Sequence, residues 1–599
     1  MEEYKSRKDV PQNYKWDLSD FYESAKQWQD SYKNIESAIL KLENYKDKIY
    51  DAEKLEEYLN LYMDTRCELL NLYVYAYLNH DVELSDTKYI SMLEKASSMY
   101  TKFNAAIAFF EPQLLTIQED KFNELFIKNQ NLDKYKIFLE DIYDKRKHTL
   151  SEKEEKLICS LTDTYDSYSN ISSSLLNSEN DYGTITTSEG KTVNILLNNL
   201  RKLKQDKDEN IRKRANKKFF KVIEQYQNTE AALLNNFVKN NIIVSKIHNY
   251  QSAWDKTLKD DKLTDKIFKS LQNACEKKLD VNKKFYKLMK KALNINTLHA
   301  YDTSMKWNIK ELEYSIEDAE NIVLNSLNIL GEDYKNKLKK IFDNHYIDYC
   351  GYKGKASGGY SYSTYDKNSR ILMSFRGMFD DISTIAHESG HNVHHQFINE
   401  NNNSWYGNQI RIISEVASLT NEFLLANYMI KNGKSKEEKL IGLENIIKVY
   451  QSNFFGAIME GQLEVKMYEK SENGGTITAE FLNDETSKLL NKYQGNTVSR
   501  NKYTKLMWAI RSHYYMVFYL FSYAISVSVA ANVASRIINC EEGILDKYYK
   551  FLKTGTDVNP IDTYKILDID IESEDIYLKG IEYFNEQLDN YERILGGGN

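Results

Sequence analysis

Three prolines are all that this 599-residue chain contains, at Pro11, Pro112 and Pro560, so residues 113–559 have none. Glycine is also scarce, at 23. Inside a helix, proline costs about 3 kcal/mol and glycine about 1 kcal/mol. The long middle of the chain therefore has few helix breakers and is expected to be mainly α. The same scarcity excludes a collagen-like chain or a Pro-rich linker array. It also argues against a β-sandwich, which needs a turn signal about every 8–12 residues.

Cysteine is nearly as sparse. Cys67, Cys159, Cys275, Cys350 and Cys540 are odd in number, widely spaced and without a C-x-x-C pair. That excludes a disulfide framework and fits free thiols in a reducing compartment. The opening MEEYKSRKDVPQNYKWDL lacks the apolar core of a signal peptide, so a cytoplasmic protein is expected. Neither charge sign dominates: 80 basic and 88 acidic residues are interleaved and leave −8. No basic block points to nucleic acid or anionic lipid as a partner. The one long uncharged stretch, 514–535, could span a bilayer by length. Its tyrosines, serines and Asn532 mark it instead as a buried helix, so no membrane partner is expected. Nothing in the composition sets the oligomeric state.

What is present is helical periodicity. Ile35, Ile39, Leu42, Tyr45 and Ile49 recur at helical spacing, and Leu69, Leu70, Tyr73 and Tyr77 form another apolar set. Two segments break the pattern. In 183–195, β-branched residues alternate around Ser188-Glu189-Gly190 as in a short hairpin. This divides an N-terminal helical lobe, 1–195, from a larger region, 196–599. In 351–375, four glycines fall within nine residues and Ile371-Leu372-Met373-Ser374-Phe375 reads as a strand. No phosphate-loop pattern is present, and the segment is expected to offer a strand edge to an extended ligand.

Directly after it comes His387-Glu388-Ser389-Gly390-His391, an H-E-x-x-H, with four of the ten histidines in 387–395. On a helix, i and i+4 share a face, so His387 and His391 can reach one metal ion. Glu388 lies about 100° round the helix, where it can meet a water held there. Zinc takes a third protein ligand and keeps a fourth position open. A third histidine six residues beyond His391 is absent, because Phe397 stands there. His395 shares the His391 face but lies about 12 Å from His387 along the axis. The next helical segment supplies Glu415 and Glu422, seven residues apart on one face. Glu415 is taken as the ligand, and Glu422 is left as either a support for the ligands or a solvated charge.

These motifs resemble the oligoendopeptidase F branch of the M3 zinc peptidases, a group that includes thimet-type oligopeptidases. Trp16-Asp17-Leu18-Ser19-Asp20, Ser357-Gly358-Gly359-Tyr360, Ile371-Leu372-Met373, His387-Glu388-x-Gly390-His391, Ser414-Glu415-Val416-Ala417-Ser418 and the block from Trp508 through His513, Phe518-Tyr519 and Tyr523-Ala524 carry the resemblance, over nearly the whole chain. It implies a two-lobed helical metallopeptidase with a deep central substrate channel and a small β-sheet beside the active-site helix. It implies one zinc per chain held by His387, His391 and Glu415, with Glu388 as general base and short peptides as substrates. Substrate contacts would come from Gly358, Gly359, Tyr360, Leu372, Met373 and Tyr515. His513, Tyr519 and Tyr523 would stabilise the transition state. By spacing alone, Tyr515, Tyr519 and Tyr523 form a phenolic stripe that core packing would explain better, and it is the resemblance that gives them a role. The chain departs from the family pattern at Ser389, where a hydrophobic residue is usual, and over Tyr514–Val517. The alternative is a metal-bearing but inactive peptide-binding protein.

Overall fold

A computed structural model describes residues 4–307, 312–356 and 358–597 of the protein, apart from the side chains at 156 and 159–166. Ser357 of the glycine-rich motif lies outside the described residues. The chain is mainly helical with two small sheets. Its strands, among the described residues, are β1 (Thr184–Thr186), β2 (Thr192–Asn194), β3 (Ile347–Cys350), β4 (Tyr360–Thr364) and β5 (Lys367–Phe375). The chain folds into two compact units, each assembled from three segments.

The first unit takes Met1–Ile158, Glu311–Leu425 and Val533–Asp568. The helix Ala25–Glu43 starts where the Ser24 side chain accepts from the Gln27 N–H, and it buries Trp28, Ile35, Ile39 and Leu42. It ends at Glu43. Tyr45 and Ile49, which extend the same apolar series, instead lie in a turn where Asp47 adopts φ +62°. The helices Ala52–Val82 and Thr87–Ile107 complete a packed group with it. The buried Trp28 indole donates to the Leu72 carbonyl at 3.0 Å.

The three-stranded sheet of this unit has the order β3-β5-β4. β5 runs parallel to β3 and antiparallel to β4, so Ile371 lies opposite both Ile347 and Ser361. This corrects the expectation that the 371–375 strand is an open edge. β5 is the middle strand, and the Leu372 and Met373 side chains are buried. The two edges are β3 and β4.

Two charge clusters, each built on a buried cation, fix this sheet. Lys355 Nζ lies 2.6 Å from Asp348 Oδ1 and also donates to the carbonyls of Asp348, Cys350 and Met373. Arg7 holds the other Asp348 oxygen at 2.6 Å. The glycine-rich connection before β4 is thereby tied to β3 and β5. The second cluster explains the opening Trp-Asp-Leu-Ser-Asp motif. Arg370 on β5 donates to the Asp17 carbonyl and to the Asp20 carboxylate, and it stacks on Tyr346 at 4.1 Å.

The second unit takes Cys159–Lys310, Ala426–Asn532 and Ile569–Asn599. Its β1–β2 hairpin pairs Ile185 with Val193 and turns at Gly190, φ +80°, as its alternating residues indicate. One core lies under the long helix Glu209–Ile247, where Phe219 and Ile223 pack with Leu463, Met467 and Trp508. Phe285, Trp307 and Tyr591 form an aromatic cluster.

The helix Leu520–Ile538 is long and apolar enough to cross a membrane by length and composition. Its most apolar window is 72% buried within the fold, as in a core helix. Cys67, Cys275, Cys350 and Cys540 carry free thiols; the Cys159 side chain lies outside those described.

Removing Asp348 leaves the Lys355 ammonium buried without its carboxylate, a loss of about 3–5 kcal/mol. Asp348→Ala is expected to lower the urea midpoint accordingly. The double variant Asp348→Ala/Lys355→Met is expected to recover part of the loss.

Candidate active site

The H-E-x-x-H lies in the helix Phe379–Asn401, which follows β5 directly and packs on β4 and β5. The Asp381 carboxylate accepts from the Arg376 and Met378 backbone N–H groups, at 2.8 and 2.9 Å, and so fixes the entry from β5. Asn392 donates to the Ser369 carbonyl of β5 at 2.9 Å. Asn421, oriented by the Tyr334 hydroxyl, donates to the Ala386 carbonyl at 3.0 Å.

The helix Ser414–Asn432 passes this helix at very short range. A Cβ placed on Gly390 would stand 2.6 Å from Ser418 Cα and 2.9 Å from the Ala417 carbonyl oxygen. The glycine of H-E-x-G-H and the small residues of Glu-Val-Ala-Ser are two sides of one backbone contact.

That contact delivers Glu415 to the histidines. Ligand atoms of His387, His391 and Glu415 all lie within 4.8 Å of one another. Glu415 Oε2 is 3.4 Å from His387 Nε2 and 3.5 Å from His391 Nε2. Two imidazole nitrogens and one carboxylate oxygen are a donor set that suits zinc with an open fourth position, so the residues fit the metal that the motif implies.

Glu422 also has a definite place. Its Oε1 lies 2.7 Å from His387 Nδ1, and its Oε2 accepts from the Ser383 hydroxyl at 2.7 Å. A carboxylate there fixes the tautomer that leaves Nε2 free for a metal. The Ser418 hydroxyl donates to Glu415 Oε2 at 3.1 Å. The charges follow from this geometry. Burial alone would lower His387, but Glu415 and Glu422 outweigh it and hold the imidazole well above its usual range. Burial would raise Glu415, yet the two histidines hold it well below the usual carboxylate range.

Glu388 lies one residue from His387 and is buried. A Cβ on Gly359 would meet Thr384 Cγ2 at 3.0 Å and stand 3.9 Å from Glu388 Oε1. Gly359 therefore lies beside the carboxylate, and a side chain there would crowd Thr384. Gly358 takes φ +98°, a turn that favours glycine. Tyr360 opens β4 and donates to Asp81 Oδ2 at 2.9 Å, so its hydroxyl is already committed. His394 and His395 are not ligands. Both are buried, and burial lowers them to about 3 and about 4 respectively.

The expected phenolic stripe is corrected. Thr504–Ile510 and Ser512–Tyr515 are 3-10 turns, Phe518 adopts φ +50°, and the helix begins only at Leu520. Tyr515 consequently turns away and packs edge-on against Phe237 at 5.2 Å. His513, Tyr519 and Tyr523 do gather in the second unit. The Tyr523 ring centre lies 5.9 Å from that of His513 and 5.1 Å from that of Tyr519. Burial lowers His513 to about 4, with the Arg511 charge adding to it.

The model of peptidase family M3 matches residues 202–583, and that of oligopeptidase F matches 113–182. The chain belongs to peptidase family M3. It is 30% identical over 593 residues to the oligopeptidase PepF of Bacillus subtilis (strain 168), covering 98% of this chain and 88% of that one. It is 28% identical to the plasmid oligoendopeptidase F of Lactococcus lactis subsp. cremoris, over 99% of each. Among solved structures, a Chlamydophila abortus protein aligns with a TM-score of 0.86 at 25% identity, covering 98% of this chain and all of that one. The oligoendopeptidase-F of Enterococcus faecium shares the fold, with a TM-score of 0.74 at 24% identity over 96% of this chain and all of that one. As an M3 member the chain is a metallo-oligopeptidase by family, with short peptides as its substrate class.

Two outcomes follow from this geometry. Gly390→Ala forces the two helices apart and is expected to lower both the unfolding midpoint and the metal bound per chain, read by thermal melting and elemental analysis. The buried His394 and His395 stay neutral in the folded chain, whereas the unfolded chain protonates them near pH 6.5. The unfolded state therefore binds more protons between about pH 4 and 6.5. Stability complete above that window is lost as the pH falls through it, by up to about 1.4 kcal/mol per pH unit per histidine. Unfolding midpoints measured from pH 7 to 4.5 are expected to fall less steeply in His394→Gln and His395→Gln.

Proposed function

We propose that the chain is a zinc-dependent endopeptidase that cleaves internal bonds of short, unstructured peptides in the cytoplasm. Residues 196–599 form its catalytic region and 1–195 the preceding N-terminal one. The observation that carries this reading is the convergence of His387, His391 and Glu415 with Glu388 on the same helical turn.

Zinc held by these three residues would lower the pKa of a bound water to about 7 and polarise the scissile carbonyl. Glu388 accepts the proton of the attacking water and returns it to the leaving nitrogen. Glu422 holds His387 in the ligating tautomer, and Ser418 steadies Glu415. Gly359 leaves the space beside Glu388 open, and Gly358 supplies the turn before it.

Of the two edges, β4 follows Gly359 beside Glu388, and it is the strand assigned to pair with a peptide backbone. Main-chain pairing reads no side chain, which suits a broad range of sequences. This reading moves the substrate strand from Leu372 and Met373 to Tyr360–Thr364. His513 is neutral at ordinary pH and can offer one N–H. With Tyr519 and Tyr523 it is assigned to the oxyanion, and Tyr515 becomes a packing residue. The alternative of an inactive peptide binder needs a disabled base or missing oxyanion donors, and the buried Glu388 beside His387 speaks against the first.

Glu388→Gln is expected to bind one zinc per chain, as the wild type does, while cleavage of internally quenched peptides falls by about 10²–10⁴-fold. Wild-type turnover in that variant would overturn the mechanism. Metal-free wild-type protein that cleaves at full rate would overturn the zinc dependence.

A further inference from the structure

A single bulky residue with left-handed backbone stands immediately before Tyr519. Phe518 adopts φ +50°, a region that aromatic residues rarely enter and that persists only where the surroundings enforce it. The enforcing groups lie on one face of the helix Ala457–Glu472. Glu464 is buried, and its Oε1 accepts from the Phe518 backbone N–H at 2.7 Å. One turn on, the Tyr468 ring lies 4.5 Å from the Phe518 ring, and Trp254 closes the other side edge-on at 4.7 Å. One turn back, Gly461 lets the Phe521 ring approach, because a Cβ there would stand 2.8 Å from Phe521 Cζ. Gly461, Glu464 and Tyr468 fall at i, i+3 and i+7 on that face.

The chain between His513 and the helix is otherwise only a series of turns. Met516 N–H donates to the His513 carbonyl and Tyr519 N–H to the Met516 carbonyl, each at 2.9 Å. A swing of the 518–519 peptide would carry Tyr519 away from Tyr523. We propose that Glu464, by accepting the Phe518 N–H inside the Trp254–Tyr468 box, is the positioning residue that sets the direction of the Tyr519 hydroxyl in the transition state. This rests on the reading of Tyr519 as an oxyanion donor. Glu464 acts on Tyr519 through the backbone it holds.

The test is a double-mutant cycle on the zinc-loaded full chain, with kcat and KM read separately on a quenched peptide. Glu464→Leu is expected to lower kcat about 30–100-fold, the scale of a misplaced group, with KM and bound zinc unchanged. Glu464→Gln, whose amide oxygen still accepts, is expected to recover most of that loss. In a Tyr519→Phe background, Glu464→Leu is expected to add nothing further, because both changes remove the same contribution.

Losses that multiply in the double variant would overturn the role of Glu464 while leaving that of Tyr519. An unchanged kcat in Tyr519→Phe alone would overturn the Tyr519 reading and the Glu464 role with it. Should Glu464→Leu fail to fold, Phe518→Leu loosens the same box and enters the same cycle with the same two outcomes.

Discussion

The candidate metal centre depends on how closely two helix backbones can pass at Gly390 and Ser418. Ordinary helix pairs keep their axes about 8–10 Å apart because side chains intervene. Here glycine faces Ala417 and Ser418 with no Cβ between. A glutamate is short, so only this proximity lets Glu415 share a point in space with His387 and His391. The same closeness brings Glu422, two turns further along, to the far side of the His387 ring, and it brings Asn421 to the Ala386 carbonyl. Ligand, ligand support and helix register all follow from one missing methyl group.

How much of this could be read in the sequence depends on whether the relevant spacing is local. His387, Glu388 and His391 are legible because one helical turn fixes their relation. Glu415 is legible as a carboxylate on the next helix. Glu422 stays open between a support and a solvated charge, since seven residues on a helix face say nothing about which neighbour the face meets. The 351–375 segment shows its strand but not its pairing partners. Middle and edge strands can carry the same residues, and only β3, more than twenty residues earlier, decides between them.

The misreading at 514–535 has a different cause. With no proline or glycine there, nothing in the local pattern announces a break, and tyrosines spaced by four look like a stripe. The break is imposed from elsewhere, by Glu464, Tyr468 and Trp254 acting on Phe518. The two groups of proposed functional residues are thus held by opposite means. His387, His391 and Glu415 sit on regular helix and inherit its rigidity. Tyr519 follows a conformation that its own residues would not choose, and so depends on distant packing.

The way the two units are threaded sets the order in which the chain can mature. The first unit draws its last segment from Val533–Asp568 and the second from Ile569–Asn599. During synthesis, which proceeds from the N-terminus, the first unit is incomplete until Asp568 is made and the second until the segment from Ile569 is. By then the helix pair that gathers His387, His391 and Glu415 has long since emerged. Val533–Asp568 includes Phe551, whose ring stacks over His394, and Tyr564, whose hydroxyl donates to the Ile412 carbonyl. A nascent chain therefore carries His387, His391 and Glu415 for more than a hundred residues of synthesis before the segment that backs them exists.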